Sequence, residues 1–254
     1  MDAPDCGGIR PKRRERWDLT LREAVALQKR MHRRLIVRCG PRRPRNIAGA
    51  DVAYDEASAR CLAAVVIMGV PAMIVVDEAT AETQTSFPYV PGLLAFREEP
   101  VLRAAFAKLH HRPDLIIFDS HGLAHARRFG MASHIGYILD LPSIGCAKSM
   151  LVGEHAELGA RAGSFAWLID RGERVGVALR TCGGVRPIYV SPGHRVGLIA
   201  AIRLALAAIT KHRMPEPTRL ADILARRMKR DHISASTPSA DREVTRMSGT
   251  HAQK

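Results

Sequence analysis

A short apolar run that ends in an acid and leads into a polar loop does most to limit how this chain can fold. Leu115 to Phe118 form the run, which Asp114 and Asp119 bound. Such a run favours a buried strand, and Ser120-His121-Gly122 is too small and polar to extend it. A carboxylate at the carboxyl end of a buried strand is typical of active sites in open α/β sheets. The alternative is an ordinary strand end with a turn-forming Asp.

Composition sets the broad class. The 254 residues are 46% hydrophobic, which is enough to bury a core without disulfide or metal support. Five cysteines lie scattered without CxxC spacing, which argues against a zinc cluster and a secreted disulfide framework. No apolar run approaches the roughly 20 residues of a membrane span, and the polar amino terminus does not resemble a signal peptide. We expect a cytoplasmic protein outside the membrane, and a monomer by default because no dimerisation signature is evident.

The net charge of +14, with a pI near 10.3, indicates a polyanionic partner. Residues 10–45 hold 14 Lys or Arg against the three acids Glu15, Asp18 and Glu23. A solvated helix face with a basic loop is the alternative explanation. The excess favours nucleic acid as the partner, with an anionic membrane as the weaker candidate.

Hydrophobic patterning and turn signals predict the order of the elements. Thr20 and Glu23 have capping-box spacing at the start of a helix that runs to about Arg34. Residues 47–54, 63–70 and 73–76 read as three antiparallel strands. Later helices are predicted from about residue 96 to 110 with Glu98 at the beginning, and over 133–141, 196–209 and 215–230. Further strands are predicted over 115–118, 143–147, 164–170, 174–181 and 187–190.

These elements predict a single α/β domain with flanking tails. Residues 1–16 are predicted to be a disordered basic leader, and residues 17–213 the folded domain. Residues 214–254 form a basic, partly disordered tail, because the chain from 231 onward has too little apolar surface to offset the entropy of ordering it.

Three acids stand out as candidate metal ligands. Asp51 lies inside an apolar strand, where an unpaired carboxylate costs several kcal/mol, while Glu98 and Asp119 lie at element ends. If the three converge, their oxygens suit Mg²⁺ or Mn²⁺, and in a basic protein that suggests phosphodiester hydrolysis. Lys148 and His194 would then supply charge or proton transfer. Alternatively, the acids are solvated or capping, Lys148 is a surface charge and His194 caps a turn.

A second feature is the stiff segment in which Pro88 and Pro91 bracket Tyr89 and Val90. Each proline fixes its own φ and restricts the residue before it. The segment is therefore predicted to present an aromatic ring on a rigid loop.

Five segments resemble the endonuclease V family of deoxyinosine-directed repair nucleases over about residues 17–210. They are IAGADVAY, FPYVPGLLAFREEP, DLIIFDSHGLAHARRFGMASHIG, IGCAKS and SPGHR, in this order. The resemblance implies a ribonuclease H-like mixed sheet flanked by helices. It also implies Mg²⁺ dependence, with Mn²⁺ as a substitute, and hydrolysis of the second phosphodiester bond 3′ to a deaminated adenine, leaving a 5′-phosphate.

The resemblance also assigns roles. It implies that Asp51, Glu98 and Asp119 bind the metal and that Lys148 and His194 belong to the catalytic site. A wedge that holds the strands apart while the altered base leaves the stack would comprise Pro88, Tyr89, Val90 and Pro91. The residues around the base pocket, where backbone N–H groups would select the hypoxanthine carbonyl, would be Leu94, Gly122 and His125.

One departure and two alternatives accompany the resemblance. Ser120 stands where the family usually has glycine, which could narrow the loop or alter the pocket. Inosine-containing RNA is an alternative substrate to DNA that contains deaminated bases. In a second alternative the chain is a non-catalytic basic module that binds nucleic acid, and then Asp119→Ala would leave its function intact.

Overall fold

The computed structural model describes residue 9 and residues 19–236. In chain order, the strands are β1 (Asn46–Asp55), β2 (Arg60–Gly69), β3 (Ile74–Gln84), β4 (Leu115–Phe118), β5 (Ser143–Ala147), β6 (Phe165–Asp170), β7 (Glu173–Leu179) and β8 (Ile188–Pro192). The helices are α1 (Leu21–His32), α2 (Leu94–Phe106), α3 (Met131–Leu139), α4 (Leu198–Ala207) and α5 (Glu216–Ser236). None of these helices is long and apolar enough to cross a bilayer.

The strands form one mixed sheet in the order β3-β2-β1-β4-β5-β8-β7-β6. β1, β4 and β5 run parallel, whereas β2, β3, β6, β7 and β8 pair with their neighbours antiparallel. The predicted antiparallel arrangement of the first three strands is confirmed. β3 extends to Gln84, beyond the predicted end at Val76. Its polar second half suits an edge strand, where one side of the backbone stays unpaired within the sheet.

Helices cover both faces of the sheet, and β4 shows how its side chains are shared between them. Ile116 and Phe118 pack with residues of α2 and α3, whereas Leu115 and Ile117 pack with residues of α4 on the other face. This alternation follows from the two-residue period of a strand. The predicted α/β class, a mixed sheet flanked by helices, is confirmed.

Helix boundaries differ from the prediction in two places that matter. Thr20 and Glu23 form the predicted capping box at the start of α1. α2 begins at Leu94 and contains Pro100 in its interior, so Glu98 lies in the second turn and not at the helix start. A proline here lacks the N–H that would bond to the carbonyl four residues earlier, and its ring crowds that carbonyl. α3 begins at Met131, two residues before the predicted start.

The largest correction concerns α5. Ala221 and Ala225 are fully buried, and α5 packs across β1 and β2. A Cβ on Gly49 would lie 2.1 Å from the Pro217 backbone, so the helix crosses β1 where a side chain is absent. The helix packs on the sheet beyond the predicted domain end at residue 213, and it runs to Ser236, so the predicted disorder does not hold for residues 231–236.

The predicted leader lies almost entirely outside the described residues. Ile9 is buried and donates its N–H to the Phe106 carbonyl at 3.3 Å, so the predicted disorder does not hold for this residue. Residues 237–254 of the predicted tail also lie outside the described part.

Candidate active site

The three acids singled out in the sequence line one small cavity of about 20 Å³. Ala50 of β1 pairs with Phe118 of β4 in parallel register, so Asp51 and Asp119 follow on adjacent strands and lie side by side. Glu98 reaches the same cavity from α2. The structure thus brings together the carboxylates predicted to bind metal.

The acids also affect one another electrostatically. Burial raises the pKa of Asp51, and the neighbouring carboxylates of Asp119 and Asp222 raise it further. Burial, followed by the charge of Asp51, raises the pKa of Glu98 to about 8, although Arg97 opposes the shift. The raised pKa values indicate negative charge concentrated in little space, which a bound cation would relieve.

Asp222 is a fourth acid of this cluster that sequence reasoning missed. It lies on α5, close enough that its carboxylate raises the pKa of Asp51, and it pairs with Arg226 at 2.7 Å. Gly49 and Asp51 lie on the same face of β1, two residues apart, so the helix that packs on Gly49 also reaches Asp51. In the sequence, Asp222 is marked only by its place beside the small residues of a basic helix. Because spacing along the chain does not show which strand a helix crosses, this pattern does not predict that Asp222 reaches the acids.

Lys148 joins the cluster from the strand next to β4. It follows β5 directly, and its ammonium group forms an ion pair with Asp119. Burial opposes the charged form, but the hydrogen bond to Asp119 and the attraction of Asp119, Asp222 and Asp51 raise the pKa of Lys148. A positive charge therefore stands beside the acids at neutral pH.

His194 does not join the cluster, which corrects the prediction. Its side chain is 0% exposed, its Nε2 lies 3.2 Å from Asp140, and its Nδ1 accepts from the Ile36 N–H at 3.4 Å. Its carbonyl accepts from the N–H of Ser143 at the start of β5, whereas Lys148 follows the end of that strand. Five residues of strand separate the two positions by about 16 Å.

The four acids fit a hard divalent cation by their chemistry, because carboxylate oxygens are the preferred ligands of Mg²⁺ and Mn²⁺. The ammonium group of Lys148 supports the fit, because its ion pair with Asp119 shows that this carboxylate already binds a positive charge. Over residue 9 and residues 19–236, no three His, Cys, Asp or Glu side chains are grouped closely enough to hold a metal. The fit therefore rests on the shared cavity and the donor chemistry.

A larger pocket of about 400 Å³ adjoins the acid cavity, and Asp119 and Ser120 line both. Its walls include parts of α1, the loop before α2, the loop after β4 and the end of β5. The residues that line it and bear on the argument are Gln28, Tyr89, Pro91, Gly92, Leu94, His125 and Lys148. A group held in this pocket would therefore lie next to the candidate metal site.

The proline-bracketed segment borders this pocket. Tyr89 is 65% exposed, which confirms the prediction of a presented aromatic ring. Phe87 and Leu93 are buried on either side, and Phe87 stacks on Phe96 of α2 with ring centroids 5.7 Å apart. The segment is thus anchored at both ends while Pro88, Tyr89 and Pro91 are exposed.

Gln28 of α1 holds the end of this segment. Its side chain is 1% exposed, and its amide nitrogen donates to the carbonyls of Gly92 at 3.0 Å and Phe129 at 2.7 Å. Arg127 donates to the Gln28 amide oxygen and, at 2.7 Å, to the Gly92 carbonyl. Gly92 has φ of +81° and lies too close to Arg127 for a side chain. Two donors thus fix the Gly92 turn beside the wedge.

The predicted base-pocket residues differ in placement. Leu94 lines the pocket in the first turn of α2, where N–H groups have no intrahelical acceptor. His125 lines it as well, but its backbone N–H donates to Leu123 at 2.7 Å, and burial lowers the pKa of its ring to about 4. Gly122 is buried behind the pocket, and its N–H donates to Ser191 Oγ at 2.8 Å. The Gly122 and His125 N–H groups therefore already have acceptors within the protein, and the predicted role of these two residues at the base stays a prediction.

Ser120 stands at the junction of the two cavities. Its hydroxyl oxygen is buried and has no hydrogen-bond partner within the described chain. A buried hydroxyl without a partner costs about 1–3 kcal/mol. The departure from glycine therefore places an unsatisfied polar group in the wall that separates the acids from the pocket.

The whole domain matches known proteins of one family. The sequence model of the endonuclease V family matches residues 27–223. An endonuclease V from Roseiflexus sp. (strain RS-1) is 52% identical over 209 residues, which cover 82% of this chain and 93% of that protein.

Two solved structures extend the comparison. The endonuclease V of Streptomyces avermitilis superposes with a TM-score of 0.82 at 45% identity, covering 85% of this chain and 96% of that one. The endonuclease V of Ciona intestinalis, solved with a 24mer DNA containing an inosine followed by a ribo-adenosine, gives a TM-score of 0.71 at 26% identity, covering 83% of this chain and 98% of that one. The sheet is therefore ribonuclease H-like, and the chain belongs to the endonuclease V family of nucleases.

Proposed function

We propose that this protein is a Mg²⁺-dependent endonuclease that recognises deoxyinosine in DNA and hydrolyses the second phosphodiester bond 3′ to the lesion. The observation that carries the proposal is the junction of a pocket of about 400 Å³ with a cavity lined by Asp51, Glu98 and Asp119. A base held in the pocket would bring its own strand past the acids. The Ciona intestinalis complex with inosine-containing DNA supports this choice of ligand.

Asp51, Glu98, Asp119 and Asp222 would hold the metal. When bound, Mg²⁺ would polarise the scissile phosphoryl group and lower the pKa of an attacking water, and Mn²⁺ would substitute. Lys148 would pair with a phosphate oxygen and stabilise charge that develops as the bond breaks. Together these residues account for the family chemistry without His194.

The pocket would read an extruded base. Tyr89 would stack in the space that the base leaves and offset part of the unstacking free energy of a few kcal/mol. The first-turn N–H groups of α2, at Leu94 and Ala95, would donate to the hypoxanthine carbonyl oxygen. Adenine has an amine at that position and would leave these donors unpaired, which costs about 1–3 kcal/mol.

We also propose a cytoplasmic monomer. The described cysteines, Cys39, Cys61, Cys146 and Cys182, are all free thiols, which suits a reducing compartment.

The decisive experiment follows cleavage of a labelled duplex with a single deoxyinosine, with Mg²⁺, with Mn²⁺ or with chelator. We expect one nick at the second phosphodiester bond 3′ to the lesion, lost with chelator. Asp222→Asn should lower kcat at least 100-fold, and Asp231→Asn serves as a matched control because its acid is an exposed one on the same helix. Strands that contain ribo-inosine are assayed alongside, and they test the alternative that inosine-containing RNA is the substrate.

Two results would overturn the proposal. If wild type binds the lesion duplex but never cuts it with any divalent metal, the chain acts as a basic binding module. If only ribo-inosine strands are cut, the substrate is RNA.

A further inference from the structure

A second groove lies at the opposite end of the sheet from the acids. It encloses about 630 Å³ and is lined at the amino ends of the parallel strands by Arg112 and Asp114 before β4 and by Asp140 before β5. Residues 36–41 and Arg195 complete most of its wall. Asp51 lies five residues along β1 from its amino end, so about 17 Å of strand separates this groove from the active site.

The segment that borders the groove, residues 36–45, is fixed by its backbone. The Ile36 carbonyl accepts from the Arg195 N–H at 2.6 Å, and the Cys39 carbonyl accepts from the Gly197 N–H at 3.0 Å. Arg203 of α4 donates to the carbonyls of Pro41 and Arg42 at 2.6 and 2.7 Å. A basic segment that is held in place presents its charges at defined positions.

The groove carries uncompensated positive charge. Arg38 and Arg112 line the groove, and Arg42, Arg43 and Arg45 lie on the segment that borders it. All five are exposed, and among the described residues no carboxylate lies within 4.0 Å of their guanidinium groups. The two acids that line the groove are already engaged. Asp114 accepts from the N–H groups of Arg45 and Asn46 at 2.7 and 3.0 Å, and Asp140 pairs with Arg195 at 2.8 Å.

We propose that this groove binds the phosphodiester backbone of nucleic acid outside the stretch held in the active site. Arginine is suited to this role, because its planar guanidinium donates two parallel hydrogen bonds to a phosphate. Contacts to phosphate carry no sequence information, so the groove holds undamaged duplex as well. The proposal does not rest on deoxyinosine as the substrate.

An anionic membrane would also be attracted to these charges. The groove favours a polynucleotide because Arg38, Arg112 and Arg195 line a concave channel of about 630 Å³, whereas a lipid surface is broad and flat. The chain moreover belongs to a family of nucleases. For a nuclease, an additional contact with a polymer substrate lengthens the lifetime of the enzyme–substrate complex.

The test compares two triple variants that remove equal charge. Arg38, Arg43 and Arg112 are changed to Ala in the first, and Arg161, Arg171 and Arg186 are changed to Ala in the second; all six are exposed. Binding of undamaged duplex of about 40 base pairs is measured by fluorescence anisotropy in chelator over a series of salt concentrations. Each lost phosphate contact lowers the slope of log K against log salt by about 0.9.

In the variant that lacks Arg38, Arg43 and Arg112, we expect the slope of log K against log salt to be smaller in magnitude by about 2–3 and the affinity for DNA to fall at least tenfold. In the control variant the slope should stay as in wild type. Cleavage of a lesion duplex of about 15 base pairs should not change in either variant, and circular dichroism should show both folded. An equal effect of the two triples on the slope, or no effect of either, would overturn the proposal. A groove triple that loses binding to phosphatidylserine vesicles but keeps its salt slope on DNA would assign the groove to a membrane.

Discussion

At the scale of single residues, two base–acid pairs show how surroundings decide a role. Lys148 pairs with Asp119 at the edge of a pocket, with 46% of the lysine side chain exposed. His194 pairs with Asp140, but its ring is sealed in the core against Tyr137 with centroids 5.8 Å apart. Lys148 can exchange Asp119 for a phosphate, whereas the pair of His194 and Asp140 can only connect the end of α3 to the turn after β8.

We therefore expect opposite effects from two alanine substitutions. His194→Ala should lower the free energy of unfolding by about 2–4 kcal/mol, because it leaves a cavity in the core and removes one partner of Asp140. The kcat of the folded protein should stay within a few-fold of wild type. Lys148→Ala should leave Tm within a few degrees and lower kcat about 100-fold or more. Denaturant titrations and single-turnover cleavage would check both, and a large kcat loss in folded His194→Ala protein would contradict this assignment.

At the scale of elements, α1 supports the wedge from outside the sheet. Gln28 links the carbonyls of Gly92 and Phe129, which belong to two different walls of the pocket. Arg127 completes the connection by bonding both Gln28 and Gly92. One buried amide thus sets the position of the Pro88–Pro91 segment relative to the loop after β4.

Gln28→Leu should disturb the position of the Pro88–Pro91 wedge more than the cleavage step itself. Loss of the amide leaves two buried carbonyls with fewer donors, and the Gly92 turn gains freedom. We expect cleavage of deoxyinosine in duplex to fall at least tenfold, with a smaller loss on single strands, where no partner strand must be held apart. Arg22→Leu, exposed on the same helix, is the matched control. An equal loss on both substrates would indicate general damage to the fold.

At the scale of the whole molecule, folding brings together acids whose negative charges repel one another. Elements from β1 to α5 bring four acids together, and the pKa of Glu98 rises to about 8 through burial and the charge of Asp51. The unfolded chain releases this proton near pH 4.3. The folded protein keeps it over the window up to about pH 8, so folded protein binds more protons than unfolded protein and its stability falls as pH rises through this window.

This linkage predicts how the protein without metal responds to pH. In chelator, Tm should fall by several degrees from pH 5 to pH 8, and Glu98→Gln should make that fall clearly smaller. Mg²⁺ at pH 8 should raise the Tm of wild type and much less that of the variant, because the cation relieves the same repulsion. Calorimetry would measure both, with Glu157→Gln as the exposed control. The same pH dependence in Glu98→Gln as in wild type would contradict the linkage.

Local patterns in the sequence sufficed for the strands other than the second half of β3, for the α1 capping box, for the exposed Tyr89 and for three acids of the cluster, because each depends on neighbours along the chain. Tertiary structure alone decided the others. Asp222 reaches Asp51 only because α5 crosses β1 at Gly49. His194 lies away from the site because β8 runs antiparallel to β5 and ends beside the amino end of β5, whereas Lys148 follows the carboxyl end. Packing between distant segments sets helix crossing points and strand directions, and no local spacing encodes either.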